Sequence, residues 1–143
     1  MKKATFDKAG RSELHYAARD ANLSEVVRLI RIGSDVESAD SRGWTPLHFA
    51  VQSQLTAPQG HPVETAEALL KAGAKIDSKD EHGNTPLMRA VAVYRGGEGS
   101  MIRLLRKWGA DPFLKNNYGI CALESARMTA NYDVAKYFDD LPK

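Results

Sequence analysis

The chain is one short pattern written four times. The blocks Gly10–Ala17 (GRSELHYA), Gly43–Ala50 (GWTPLHFA) and Gly83–Ala90 (GNTPLMRA) align without gaps, and Gly119–Ala126 (GICALESA) keeps the glycine, the leucine and the alanine. Each block begins three residues after Asp7, Asp40, Asp80 or Asn116. A second element recurs at Gly33–Val36, Gly73–Ile76 and Gly109–Pro112, each time behind an apolar stretch: Val26–Ile30, Ala68–Leu70 and Met101–Leu105. The leading glycines stand 33, 40 and 36 residues apart. Repetition at that period excludes a conventional mixed core. One unit cannot bury its own apolar face, so the units must stack, and about three are needed for stability.

Each recurring residue has a physical use. Thr45 and Thr85 can accept a backbone N–H at a helix start, and Pro46 and Pro86 suit the first helical turn, where no donor is required. Ser12 can cap in the first block. Cys121 caps poorly, so the last block is expected to start its helix less firmly. Leu14, Leu47, Leu87 and Leu123 are candidate core residues, and Ala17, Ala50, Ala90 and Ala126 are small where two helices approach closely. Gly33, Gly73 and Gly109 suit helix ends, and the leading glycines suit turns. The unit predicted is a pair of antiparallel helices with a projecting turn. Residues Tyr132 to Lys143 are expected to form a closing helix.

Thr45-Pro46-Leu47-His48-Phe49-Ala50 matches in full the Thr-Pro-Leu-His-x-Ala signature of ankyrin repeats, at a period near 33 residues. The chain therefore resembles the ankyrin-repeat family over about Asp7 to Leu141. The first block departs from the signature at Glu13, the third at Met88, and the fourth at Cys121, Ala122 and Glu124. The resemblance implies an all-α solenoid of stacked helix-turn-helix units with projecting β-hairpin-like turns. It would form a single domain over residues 1–143, with repeats at about 7–39, 40–79, 80–115 and 116–141. It also implies that His15 and His48 bond to backbone near the adjoining turn.

Bulk properties narrow the setting. With 20 basic and 18 acidic side chains the net charge is +2, which does not fit a dedicated polyanion binder. No apolar run approaches the ~18 residues of a membrane span. Met1-Lys2-Lys3 has the charge of a secretory leader, but Asp7, Lys8, Arg11 and Glu13 interrupt any apolar region behind it. One cysteine rules out a disulfide within the chain. A cytoplasmic location is expected, with no membrane association.

Chemistry-bearing residues are few. Gly96-Gly97-Glu98-Gly99-Ser100 before a helix has the look of a phosphate cradle, but no strand or lysine accompanies it and Glu98 would repel phosphate. His15 and His48 occupy equivalent positions on stacked helices ~8–10 Å apart, too far to share one zinc. His61 and His82 fall in turns. No nucleophile–base pattern surrounds Cys121. The chain is therefore expected to be no enzyme and to carry no metal or cofactor. A basic stretch through Arg89, Arg95, Arg103, Arg106 and Lys107 reads either as a solvated helix face or as a contact for an acidic partner or nucleic acid.

Two insertions individualise the repeats: about seven residues within Gln52–Pro62, with Thr56–Pro62 read as a loop, and about three around Arg95–Ser100. Either contacts a partner or is neutral surface loop. Ankyrin-like folds bind through the variable turn tips and the adjoining first-helix face, which is concave. By position this gives Lys8, Ala9, Arg11, Arg19 and Asp20; Ser41, Arg42, Trp44, Gln52 and Ser53; Glu81, His82, Asn84, Ala92 and Val93; and Asn117, Tyr118, Ile120, Met128 and Thr129. The candidate partner-binding set is Arg11, Arg19, Arg42, Trp44, Gln52, His82, Asn84, Tyr118 and Ile120. Trp44, Arg42, Arg11 and Tyr118 are its anchors, because aromatic and arginine side chains dominate binding hot spots. Trp44 could instead pack on the neighbouring turn.

The expected function is protein binding by a self-contained monomer. It would act as an adaptor, or as an inhibitor of the immunity type that blocks a toxin or an enzyme. The alternative is a basic face that associates with nucleic acid, which is not the expected partner.

Overall fold

The computed structural model describes residues 6–130 and 132–143. The basic start weighed above as a leader, Met1–Lys3, lies outside the described residues. Seven α-helices and one 3-10 helix are found among them: α1 Glu13–Arg19, α2 Leu23–Arg31, α3 Pro46–Thr56, α4 Pro62–Lys71, α5 Pro86–Val93, α6 Ser100–Lys107, α7 Ala122–Met128, and the 3-10 helix Val134–Phe138. Helix α1 packs on α3, α3 on α5 and α5 on α7, while α2 packs on α4 and α4 on α6. The first helices of the repeats thus form one layer and the second helices another. No helix among the described residues is long and apolar enough to cross a membrane.

The core runs between the layers. Leu14, Leu47, Leu87 and Leu123 are buried, as are Ala17, Ala50, Ala90 and Ala126. Helix starts follow the side chains predicted to cap them. Ser12 accepts the N–H of His15, Thr45 that of His48 and Thr85 that of Met88. Cys121 makes no such bond at the start of α7. The second helices end alike. The N–H groups of Ser34, Ala74 and Ala110 reach back to the carbonyls of Leu29, Leu69 and Leu105, each at 3.0 Å, and so satisfy carbonyls that the helix itself leaves free.

The turns explain the acid or amide three residues before each block. One oxygen of Asp40 accepts the N–H groups of Arg42 and Trp44, both at 2.9 Å. Asp80 does the same for His82 and Asn84, and Asn116 for Tyr118 and Ile120. Successive tips are then joined by single backbone bonds, Ser41 N–H to Ala9 C=O, Glu81 to Arg42, and Asn117 to His82, at 2.7–2.9 Å. The hairpin-like turns contain no strand among the described residues, only an isolated antiparallel bridge between Lys115 and Cys121.

Two buried histidines connect repeats. His15 Nδ1 accepts the N–H of Ser12 at 2.9 Å, so the ring proton sits on Nε2, which donates to the Trp44 carbonyl of the next repeat at 3.0 Å. His48 repeats the arrangement between Thr45 N–H and the Asn84 carbonyl. A second ring proton would face a backbone donor. Burial also pushes both imidazoles below their ordinary value of 6.5. The sign follows: the unfolded chain takes up these protons near the ordinary value, and the folded chain only at lower pH. Stability is therefore fully present above that value and is lost as pH falls through it. We expect urea-unfolding free energies to drop between about pH 7 and about pH 5.5, with less slope in His48→Gln. Equal stability at both pH values would contradict this account.

Two expectations are refined and one is corrected. The closing helix expected over residues 132–143 is short and of the 3-10 type. Val134–Phe138 forms a 3-10 helix, continued by i→i+3 bonds from the Asp139 N–H to the Lys136 carbonyl and from the Leu141 N–H to the Phe138 carbonyl, and it buries Val134, Tyr137 and Phe138. The first insertion is a loop, to within a residue at each end of the expected Thr56–Pro62. Helix α3 continues to Thr56, and residues 57–61 fold back on the first repeat, where His61 N–H meets the Ala21 carbonyl at 2.9 Å. Finally, Ser53 and Val93, placed on the binding face, are buried. Because α3 extends past Gln52, Ser53 stays on the helical stripe of Pro46 and Phe49, and its hydroxyl donates to the Ala50 carbonyl.

Candidate functional site

The turn tips and the first helices carry a continuous run of aromatic and cationic side chains. Arg11, at the first tip, lies 5.5 Å from the centre of the Phe49 ring and donates to Asp40 at 3.3 Å. Phe49 meets Trp44 with ring centres 5.1 Å apart. The guanidinium carbons of Arg42 and Arg89 stand 5.0 and 5.2 Å from the centre of the Trp44 ring. Arg89 then donates to the Gln52 side-chain oxygen at 2.7 Å. Four of the residues chosen from sequence, Arg11, Arg42, Trp44 and Gln52, are thereby brought into one array. Two residues that sequence reasoning left outside that set, Phe49 and Arg89, hold it together. The spacing Trp44–Phe49 and the x position of the signature could have pointed to Phe49. Arg89 was legible only as one member of a basic stretch.

Trp44 is half-buried against the core, with His48 and Phe49 as ring neighbours. Its packing is on its own helix and beneath an arginine of the next repeat. A second cluster lies at the later tips. His82 stacks with Tyr118 at 6.1 Å between ring centres, and the Tyr118 hydroxyl is 3.1 Å from His82 Nδ1. Tyr118 is 68% exposed, far more than Trp44, and so offers the freer aromatic surface. Asn84 takes a bond from Asn116 and is half-buried, as is Ile120. Arg19 stands apart from both clusters, exposed, over the Tyr16 ring and beside Asp20.

Three of the remaining basic residues are engaged within the chain. Arg95 donates to the Ala92 and Tyr94 carbonyls, Arg103 covers Tyr137, and Arg106 forms a two-pronged pair with Asp140 at 2.6 and 2.9 Å. The glycine-rich segment is likewise occupied. The Tyr137 hydroxyl donates to the Gly97 carbonyl at 2.9 Å, the Tyr94 hydroxyl beside it donates to Asp133 at 2.9 Å, and the Tyr137 ring lies against Gly99. Among the described residues no three His, Cys, Asp or Glu side chains gather as a metal site would require.

Comparison with known proteins agrees with the architecture. A family model described as ankyrin repeats (3 copies) matches residues 2–80, and one described as ankyrin repeat matches residues 82–117. The chain is similar to the Neurogenic locus Notch protein of Drosophila melanogaster, 48% identical over 48 residues, which is 34% of this chain and 2% of that protein. It is also similar to human Protein phosphatase 1 regulatory subunit 27, 43% identical over 47 residues, or 33% of this chain and 30% of the relative. Notch-regulated ankyrin repeat-containing protein A of Danio rerio is 37% identical over 46 residues, or 32% and 41%. The match thus spans less than half the length of each of these relatives.

Proposed function

Since the chain belongs to the ankyrin-repeat family, whose repeats serve as protein–protein interaction modules, we propose that it holds one partner protein on the face made by its turn tips and first helices, without catalysis. The observation that carries this reading is the run Arg11, Phe49, Trp44, Arg42 and Arg89, an aromatic and guanidinium surface of the composition that concentrates binding energy. The exposed Tyr118 with His82 extends it to the last tip. Within this reading the protein acts by occupancy, as an adaptor or as an inhibitor of a toxin or an enzyme. The human relative, named a regulatory subunit of a phosphatase, lends support to regulation by contact. The buried free thiol of Cys121 suits the reducing cytoplasm expected from the sequence. A nucleic-acid role has less support, because Arg95, Arg103 and Arg106 are each engaged within the chain.

The test is affinity capture from the native cells followed by titration of the purified partner. Trp44→Ala is expected to weaken binding by about 2 kcal/mol. Because Trp44 also touches the core, Tyr118→Ala serves as the variant that leaves the buried core untouched and loses only the surface stack on His82, with an expected loss of about 1 kcal/mol. A partner bound equally by the wild type and both variants would remove this face from consideration.

A further inference from the structure

We propose that the pair Arg42 and Arg89, beside Trp44, is a receptor for a carboxylate: the side chain of an aspartate or glutamate in an extended acidic segment of the partner protein. The inference rests on the protein-binding reading above and assigns chemistry to one part of that face. Both guanidiniums approach the same indole, yet neither makes an ion pair with a carboxylate among the described residues. Of the two turn carboxylates nearby, Asp40 is committed through both oxygens and Asp80 through one. Asp40 gives one oxygen to its turn and the other to Arg11, and Asp80 gives one oxygen to the turn that holds His82 and Asn84. Arg89 is left with the neutral amide oxygen of Gln52, and its Nε is enclosed without a partner. Burial lowers the Arg89 pKa below its ordinary value; the charge of Asp80 opposes this shift, and the charge of Arg42 adds to it by less.

Two like charges share one indole, one of them partly desolvated, and neither has a carboxylate in ion-pair contact among the described residues. A carboxylate supplies that contact in the geometry guanidinium favours, two oxygens against two N–H groups in one plane. The indole offers apolar area for the segment that carries the acid. A continuous phosphate backbone fits less well. The patch is local and the net charge of the chain is only +2, so it offers no continuous basic track for such a backbone.

The probe is a capped hexaglutamate peptide added to the full chain, followed through the indole N–H signals of its two tryptophans. Trp108, at the end of α6 in the other layer, is the internal reference. Hexaglutamate is expected to move the Trp44 signal and leave Trp108 in place. The double variant Arg42→Gln with Arg89→Gln is expected to weaken that response about thirtyfold. Unfolding curves on the same samples must show an unchanged fold; if the double variant loosens, Arg42→Gln alone, at an exposed tip, is expected to cost about fivefold. No Trp44 response, an equal response to hexaglutamine, or an unchanged affinity in the variants overturns the proposal. Tighter binding of a single-stranded oligonucleotide at the same signal overturns it in favour of phosphate. A captured protein partner that is lost in Trp44→Ala but indifferent to both arginines would leave the module intact and remove only the carboxylate receptor.

Discussion

Replacing His48 with alanine is expected to lower the unfolding free energy by about 3–4 kcal/mol, far more than loss of a surface side chain. The imidazole is fully buried and belongs to two repeats at once. Alanine would free the Thr45 N–H at 3.2 Å and the Asn84 carbonyl at 3.0 Å, and would leave a void beside Trp44. Each buried polar group deprived of its partner costs about 1–3 kcal/mol, and the void adds to this. The chain supplies its own comparison. Met88 stands at the equivalent position of the third repeat, where a thioether can fill space but cannot donate to a carbonyl. The fourth repeat is therefore docked without the bond that ties the first to the second and the second to the third. Urea unfolding measures the effect. A loss below about 1 kcal/mol would mean that the histidine fills space and does little else. Met88→His is expected to act in the opposite sense, adding about 1 kcal/mol if the new ring reaches the next turn.

The parts of the fold that were legible in the sequence are those set by local chemistry. Thr45, Thr85 and Ser12 cap because a side-chain oxygen beside a helix start has an N–H to accept, and that is decided within four residues. The recurring Asp7, Asp40, Asp80 and Asn116 were visible as a spacing, although their use as turn acceptors needed coordinates. What the sequence hid depends on neighbours in space. Thr56–Pro62 carries the prolines and glycine of a loop, yet where α3 stops is settled by the first repeat, whose Ala21 carbonyl and Arg19 carbonyl receive His61 and Thr56. Ser53 looked like a surface residue by position, and one additional helical turn moved it inside. The binding face shows the same division. Trp44 and Arg42 stand out as unusual tip residues, whereas Arg89 joins them across 37 residues of chain from its partner Gln52, a distance no local pattern records.

Alanine at Gly83 or Gly43 is expected to cost about 3 kcal/mol, while alanine at Gly119 costs only about 1–2 kcal/mol, although all three have nearly the same backbone conformation. Their φ values are +77°, +78° and +77°, so the strain of a side chain in the left-handed region is common to the three. The difference lies in what stands opposite. A Cβ on Gly83 would come within 2.9 Å of the Asn117 nitrogen and 3.1 Å of the Asn116 Cα. One on Gly43 would come within 2.9 Å of the Glu81 nitrogen and 3.0 Å of the Asp80 Cα. These are backbone atoms, which cannot swing aside, so the next tip must move as a whole. At Gly83 that movement opens the bond from Asn117 N–H to the His82 carbonyl and the bond from the Asn117 side chain to the Glu81 carbonyl, both 2.9 Å. It also separates His82 from Tyr118, so Gly83→Ala should impair the second aromatic cluster as well as stability. Gly119 has no atom within 4 Å of its would-be Cβ, so its variant isolates the conformational strain. Thermal or urea unfolding of the three variants provides the measurement. Equal losses at Gly83 and Gly119 would show that the tips are not held in register by close backbone approach, and the single hydrogen bonds between them would then have to carry the alignment of the face alone.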